Sequence, residues 1–283
     1  MAHVVAVVGG QGDVGRTIVE VLGFSSISQG RTQCLSLNAL ANTVKKLDDE
    51  PTIYVDYTDV SHIPDSLEKY NVEVVISCLN VISAGASQAE VNLARACGSS
   101  AGTHRFNASQ WSLKHSPLPD FSAATLAVLS QTKIEYTAVS NGHFSDYYGY
   151  PKVQTYLKHA NFLIDIANKT AAVPGSGEDK VAFTYSFDVA RFVDALVNTE
   201  EKSPKHSVII GEKITVNEIV AIAEDARGEL FSVVHDDVNK SKSLQVTELP
   251  SHVEAYKFFP KPILQTLLAA IGLWITEGHF DLT

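Results

Sequence analysis

The first sixteen residues, MAHVVAVVGGQGDVGR, constrain the chain more than any other stretch. An apolar run from Val4 to Val8 enters Gly9, Gly12 and Gly15 and leaves through TIVEVL. The run has the length of a buried strand and TIVEVL reads as a helix, so the order is strand, glycine turn, helix. In that order each glycine has a task. The first lets the chain turn sharply, the second lets backbone N–H groups approach a pyrophosphate, and the third lets the helix pack closely on its strand. The helix start, at Asp13 and Val14, offers unpaired N–H donors and a partial positive charge to phosphate. A dinucleotide is therefore the ligand expected at Gly9, Gly12, Asp13, Val14 and Gly15. The bland alternative is a glycine-rich turn in an α/β protein that has lost its ligand.

The 283 residues suffice for one large domain or a domain with a smaller lobe. An apolar fraction of 45% and a charged fraction of 19% are those of an ordinary soluble globular protein. A net charge of −10 argues against nucleic acid or an anionic membrane as the main partner. Cys34, Cys78 and Cys97 lie in apolar patterns and read as buried free thiols of a reducing compartment. No signal-peptide pattern precedes the first strand, and the late apolar run Ile263 to Ile275 is too short to span a bilayer. A cytoplasmic protein is expected.

Apolar strand runs and helical runs alternate from residue 4 to about residue 140. Strands are expected at Gln33 to Leu37, in TIYVDYTD, in VEVVISCLN, in THRFNASQWS and in KIEYTAVSN, with a short helix or turn in ALANTVKKLDDE and helices in the other intervals, one of them capped by Ser61. This rhythm gives a doubly wound parallel sheet of Rossmann type. Ligands of such sheets lie at the carboxyl ends of the strands. That places Leu37, Asn38, Asp56, Tyr57, Cys78, Leu79, Asn80, Ser109 and Asn141 with the glycine turn as cofactor-binding residues. Beyond residue 145 the pattern changes to an aromatic, polar segment and then to mixed strands and helices, with KHSVIIGEKIT as one strand leading into a helix capped near Thr215. The expected division is a dinucleotide-binding domain over 1–145, to which the chain returns at about 181–198, and a smaller C-terminal α+β substrate lobe over 146–180 and 199–283.

Together, GGQGDVGR, VDYTDV, VVISCL, HRFNASQWS, IEYTAVSNGHFSDYYG and FTYSFDVARFVDAL resemble the NmrA-like and isoflavone-reductase-like branch of atypical short-chain dehydrogenases, above all its fungal members. The resemblance runs from residue 4 to about residue 230. It implies NADP(H) as cofactor, a small C-terminal substrate lobe, and small aromatic or polycyclic substrates of secondary metabolism. Two departures matter. Reductases of this branch carry a lysine on the helix before the sixth strand, where this sequence has Ser122, and FSAATLAVLSQT contains no lysine. A serine is no cationic proton donor. At the end of the second strand, Leu37-Asn38 supplies neither the carboxylate that grips a ribose diol nor an arginine for a 2′-phosphate. With no carboxylate to repel a phosphate, and with Lys45, Lys46 and Arg16 nearby in sequence, NADP(H) is favoured over NAD(H).

Asn141, His143 and Phe144 follow the sixth strand, where the resemblance places the nicotinamide pocket. His143 is the side chain there whose usual pKa lies near neutrality. Asp146, Tyr147 and Tyr148 follow it, and an aromatic-rich mouth suits a flat, largely apolar substrate. His143, Tyr148 and Ser122 are thus the candidate catalytic residues, and Trp111, Phe144 and Tyr147 the candidate substrate contacts. Tyr148 and Lys152 also spell Y-x-x-x-K, but Gly149 and Pro151 argue against a helix there. The segment GSSAG at Gly98 matches a nucleophile elbow in spelling alone, since it follows a helix and precedes a strand. The ten histidines show no H-x-x-x-H pair and no clustering with cysteine, so no metal site is expected. The expected activity is hydride transfer to or from a conjugated C=N, C=C or C=O of a polycyclic or alkaloid-like metabolite. A variant couples that chemistry to a cyclisation with the cofactor cycling. The alternative is a dinucleotide-sensing regulatory protein that binds a partner protein.

Overall fold

The computed structural model describes residues 3–24, 33–39, 52–81, 84–113 and 121–282, with residues 24, 33–39, 52–54, 121 and 122 described in backbone only. Of the short helix or turn expected over residues 39–50, Ala39 belongs to the second strand and the rest, with Lys45 and Lys46, lies outside the described residues. In chain order the first elements are β1 (Val4–Val8), α1 (Asp13–Phe24), β2 (Gln33–Ala39), β3 (Thr52–Val55), α2 (His62–Lys69), β4 (Val74–Ser77), α3 (Ala84–Ser99), β5 (Arg105–Ala108), α4 (Phe121–Ser130) and β6 (Glu135–Ser140). Then come β7 (His143–Phe144), α5 (Asp146–Gly149), β8 (Ile164–Asp165), β9 (Thr170–Pro174), β10 (Lys180–Thr184), α6 (Ser186–Asn198) and β11 (His206–Val208). The chain finishes with β12 (Glu212–Thr215), α7 (Val216–Arg227), β13 (Ser232–Asp236), α8 (Val238–Lys242), α9 (His252–Ala255) and α10 (Lys261–Thr276). These form two compact units. One comprises Met1–Ser140, Thr155–Leu157 and Ser186–Ile209; the other comprises Asn141–Gln154, Lys158–Tyr185 and Ile210–Thr283.

The first unit is built on a seven-stranded sheet in the order β11-β6-β5-β4-β1-β2-β3. Every pairing in it is parallel. Mid-sheet strands must be apolar on both sides, and alternate residues of β1 show why. Val5 and Val7 join Ile18 and Leu22 of α1 and Val193 and Val197 of α6 on one face. Ala6 and Val8 join Leu67 of α2, Leu93 and Cys97 of α3 and Leu129 of α4 on the other. Such two-sided burial explains the unbroken apolar runs of a parallel sheet. Arg105 ends α6 by donating from Nη1 to the carbonyls of Leu196 and Val197 at 3.0 and 3.2 Å. That satisfies acceptors which a helix end otherwise leaves unpaired.

Three local expectations need correction. Ser61 stands at the start of α2 but makes no side-chain cap bond. Its N–H and hydroxyl both donate to Asp59 at 3.1 and 2.6 Å, so an Asx-type turn enters the helix instead. The chain returns to the main sheet later than expected. β10 pairs with β7 and β12 in the second unit, and the return runs from α6 through β11, which pairs with β6. The run KHSVIIGEKIT is therefore two strands, β11 and β12, serving different sheets, with the turn at Gly211 between them.

The second unit holds two three-stranded sheets, β12-β10-β7 and β13-β9-β8, with α7 to α10. α7 begins with a complete capping box: the Thr215 hydroxyl accepts from Glu218 N–H and the Glu218 carboxylate accepts from Thr215 N–H. It ends on Gly228 in the left-handed region at φ 66°. Among the described residues no helix is long and apolar enough to cross a membrane.

Candidate functional site

The glycine turn is folded as tightly as its sequence implies. Gly9 has φ +74° and its carbonyl accepts the Gly12 N–H at 2.9 Å. A Cβ on Gly15 would lie 2.2 Å from that same carbonyl oxygen, so only glycine lets α1 begin this close to β1. The first-turn N–H groups of a helix have no intrahelical acceptor, and α1 begins directly after this turn. Gln11 adds Nε2, a buried donor with no hydrogen-bond partner among the described residues. A close-packed glycine cradle at a helix start, with the Gln11 donor beside it in sequence, fits a pyrophosphate.

The carboxyl ends of the neighbouring strands are braced around this turn. The Cys78 N–H donates to Val8 O at 2.8 Å, the Ser109 hydroxyl to Leu79 O at 2.7 Å, and the Trp111 indole N–H to Ser77 O at 3.0 Å. Trp111, expected to contact substrate, is partly buried, packs against the core face shared by α1 and α6 and braces the end of β4. Tyr57, expected at the cofactor, is a buried core residue whose phenol burial pushes up in pKa; its carbonyl accepts from Asn92 at 2.8 Å. Asp56 is exposed and turns on its own loop. It accepts the N–H and hydroxyl of Thr58 at 2.8 and 2.6 Å, which hold its carboxyl below the usual range. Asn80 is exposed, and the backbone of Leu37 pairs with Val8 while Asn38 pairs with Tyr54. Arg16 stacks its guanidinium 4.1 Å over the ring of Tyr156, whose hydroxyl is bonded to Glu20.

Ser122 lies in the first turn of α4, which carries no lysine. The same helix reaches a carboxylate that the sequence reading missed. Glu90 of α3 is fully buried; it accepts the Ser109 N–H at 2.8 Å and the Thr125 hydroxyl at 3.0 Å. Burial raises its pKa, so the neutral acid is favoured. A signal was present: Ser87, Glu90, Ala94 and Cys97 recur at helical spacing on the buried face of α3.

In the second unit, His143 sits inside a cage of rings. The centroids of Phe162, Tyr147, Tyr148, Phe183 and Phe280 lie 5.2 to 6.1 Å from its own. Its Nε2 lies 3.4 Å from the Tyr148 hydroxyl. Burial lowers its pKa to about 4, which corrects the expectation of a group titrating near neutrality. The imidazole is neutral at pH 7. Burial also pushes the Tyr148 phenol up. Lys152 is exposed beyond α5, after the Tyr150–Pro151 bond. α5 itself is a single turn where no helix was expected, and it ends before Lys152. Phe144 is buried in β7 opposite Thr184, and Tyr147 meets Phe162 edge to face at 4.8 Å. Asn141 is fully buried; its carbonyl accepts from the Thr184 hydroxyl at 2.8 Å.

No family profile matches the chain. A curated relative, oxidoreductase BOA1 of Botryotinia fuckeliana, is 31% identical over 290 residues, covering 99% of this chain and 90% of the relative. The solved structure of Citrobacter sp. triphenylmethane reductase complexed with NADP(H) superposes with a TM-score of 0.73 at 15% identity, over 99% of this chain and 92% of that one. Isoflavone reductase superposes with a TM-score of 0.71 at 17% identity, over 99% and 89%. The two structures share the fold, and the fungal relative shares sequence along nearly its whole length. With the glycine turn and strand order described above, this places the chain in the NmrA-like and isoflavone-reductase-like branch of atypical short-chain dehydrogenases.

Proposed function

We propose that the chain is an NADP(H)-dependent oxidoreductase acting on an aromatic or polycyclic, alkaloid-like secondary metabolite. The observation that carries this is the turn at Gly9 to Gly15, closed so tightly that a side chain at Gly15 would strike the Gly9 carbonyl. When bound, NADP(H) supplies or accepts the hydride at the nicotinamide C4. The first-turn N–H groups of α1 and the Gln11 amide would hold the pyrophosphate. The lack of a carboxylate at Leu37-Asn38 leaves room for a 2′-phosphate.

Proton chemistry narrows the acceptor. α4 carries no lysine, and the buried His143 is neutral at pH 7, so neither supplies a cationic acid. An iminium carbon needs none, because a C=N cation that receives hydride becomes a neutral amine. A conjugated iminium is therefore the preferred acceptor, ahead of C=C and C=O. A cyclisation with the cofactor cycling uses the same binding residues. Cys78 and Cys97, neither of them in a disulfide, suit a reducing, cytoplasmic setting. The test is NADPH oxidation by purified protein with a cyclic iminium, an enone and an aromatic ketone. Turnover is expected first with the iminium. A protein that binds NADPH but oxidises it with none of the three acceptors overturns the reading.

A further inference from the structure

At the edge of the main sheet opposite the glycine turn, three strands begin just after a ligating side chain. His3 precedes β1, Glu73 precedes β4 and His104 precedes β5. Strand pairing forces them together. β4 lies between β1 and β5, the Glu73 N–H donates to Val4 O at 2.9 Å, and the His104 N–H donates to Glu73 O at 3.0 Å. One ligating atom from each residue lies within 4.8 Å of the other two. His3 Nδ1 is 2.5 Å from Glu73 Oε2, and the two imidazoles meet edge to face at 6.3 Å.

His104 supplies a further, independent observation. Its Nδ1 lies 3.3 Å from the carbonyl of Gly102. A ring whose Nδ1–H donates to a carbonyl keeps its electron pair at Nε2, which is the arrangement metal-binding histidines adopt. His3 and Glu73 are half-buried and His104 is exposed, so an ion can enter from solvent. A simple His3–Glu73 ion pair would engage only two of the three groups.

We propose that His3, Glu73 and His104 form a three-ligand site for a divalent transition metal, Zn²⁺ before others, with water completing the shell. Two imidazoles and one carboxylate are a zinc donor set. They are a poor one for calcium or magnesium, which require oxygen ligands. Bonds of about 2.1 Å to a tetrahedral ion bring ligating atoms to about 3.4 Å from one another. The exposed His104 ring supplies the closing movement, while the His3–Glu73 contact opens from 2.5 Å to admit the ion. The metal ties the amino ends of β1, β4 and β5, on the side of the sheet away from the glycine turn, so its role is structural and independent of the proposed reaction. Sequence spacing conceals the site because His3 and Glu73 are 70 residues apart.

The test titrates Zn²⁺ alone into the purified full chain by calorimetry and follows the melting temperature in parallel. One Zn²⁺ per chain and a melting temperature that rises with zinc concentration are expected. His104→Ala and His3→Ala should each weaken binding by at least about tenfold. His235→Ala, at an exposed histidine of the other unit, should leave it unchanged. Should His3→Ala fail to fold, His104→Ala decides, since His104 is exposed. No saturable binding overturns the proposal. Parent-like binding by His104→Ala does so too, because it places the ion elsewhere.

Discussion

A single imidazole shows how far environment redirects a residue type. His143 lies in a cage of five aromatic rings, and burial lowers its pKa from 6.5 to about 4. The folded chain resists its protonation while the unfolded chain accepts the proton near pH 6.5. Its contribution to stability is therefore complete above pH 6.5 and is lost as pH falls toward 4. Between pH 7 and pH 5 that loss amounts to about 2 kcal/mol. His143→Phe, which keeps a ring in the cage, should lose correspondingly less stability over the same interval in urea denaturation. Identical losses in the two proteins would show that His143 does not titrate as its surroundings dictate. The residue was legible in sequence as the imidazole after the sixth strand, and its pKa was not. Phe162, Phe183 and Phe280 reach it from distant segments, and only the fold assembles the cage.

Between elements, the decisive group is Glu90, which bonds α3 to Ser109 after β5 and to Thr125 on α4. Its pKa is raised by burial, so the neutral acid is the form the fold favours. Its stabilising contribution is full below its ordinary value near 4.5 and declines as pH rises through the folded value. Glu90→Gln keeps an acceptor for the Ser109 N–H and a partner for Thr125 and removes the cost of ionisation. At pH 7 it should melt at or above the temperature of the parent. Glu90→Ala leaves a buried N–H unpaired beside a cavity and should cost about 2 to 4 kcal/mol. Equal destabilisation by both variants would contradict this account. Elements themselves were largely readable. β1, α1, β4, α3 and α6 follow apolar periodicity, and α7 follows its capping residues. What periodicity cannot carry is partnership: the apolar run after Lys205 reads as one strand, yet β11 and β12 pair in different units.

At the scale of the molecule, the alternation of strand and helix up to residue 140 sufficed for the parallel sheet, because right-handed crossovers leave few ways to arrange such a chain. The division into two units was less legible. The second unit takes in β10 and the first reclaims α6 and β11, and no composition shift marks either crossing. The His3, Glu73 and His104 cluster was invisible for the same reason, being a product of strand order alone. Whether the turn at Gly9 to Gly15 holds a phosphorylated dinucleotide is open to direct measurement. It calls for calorimetric titration of the purified chain with NADP⁺, NADPH, NAD⁺ and NADH, after assay for nucleotide already bound. One site per chain that prefers NADP(H) is expected, and it should be lost in Gly15→Val, whose side chain would enter the Gly9 carbonyl. A folded chain that binds none of the four, or a Gly15→Val variant that binds like the parent, would contradict that expectation.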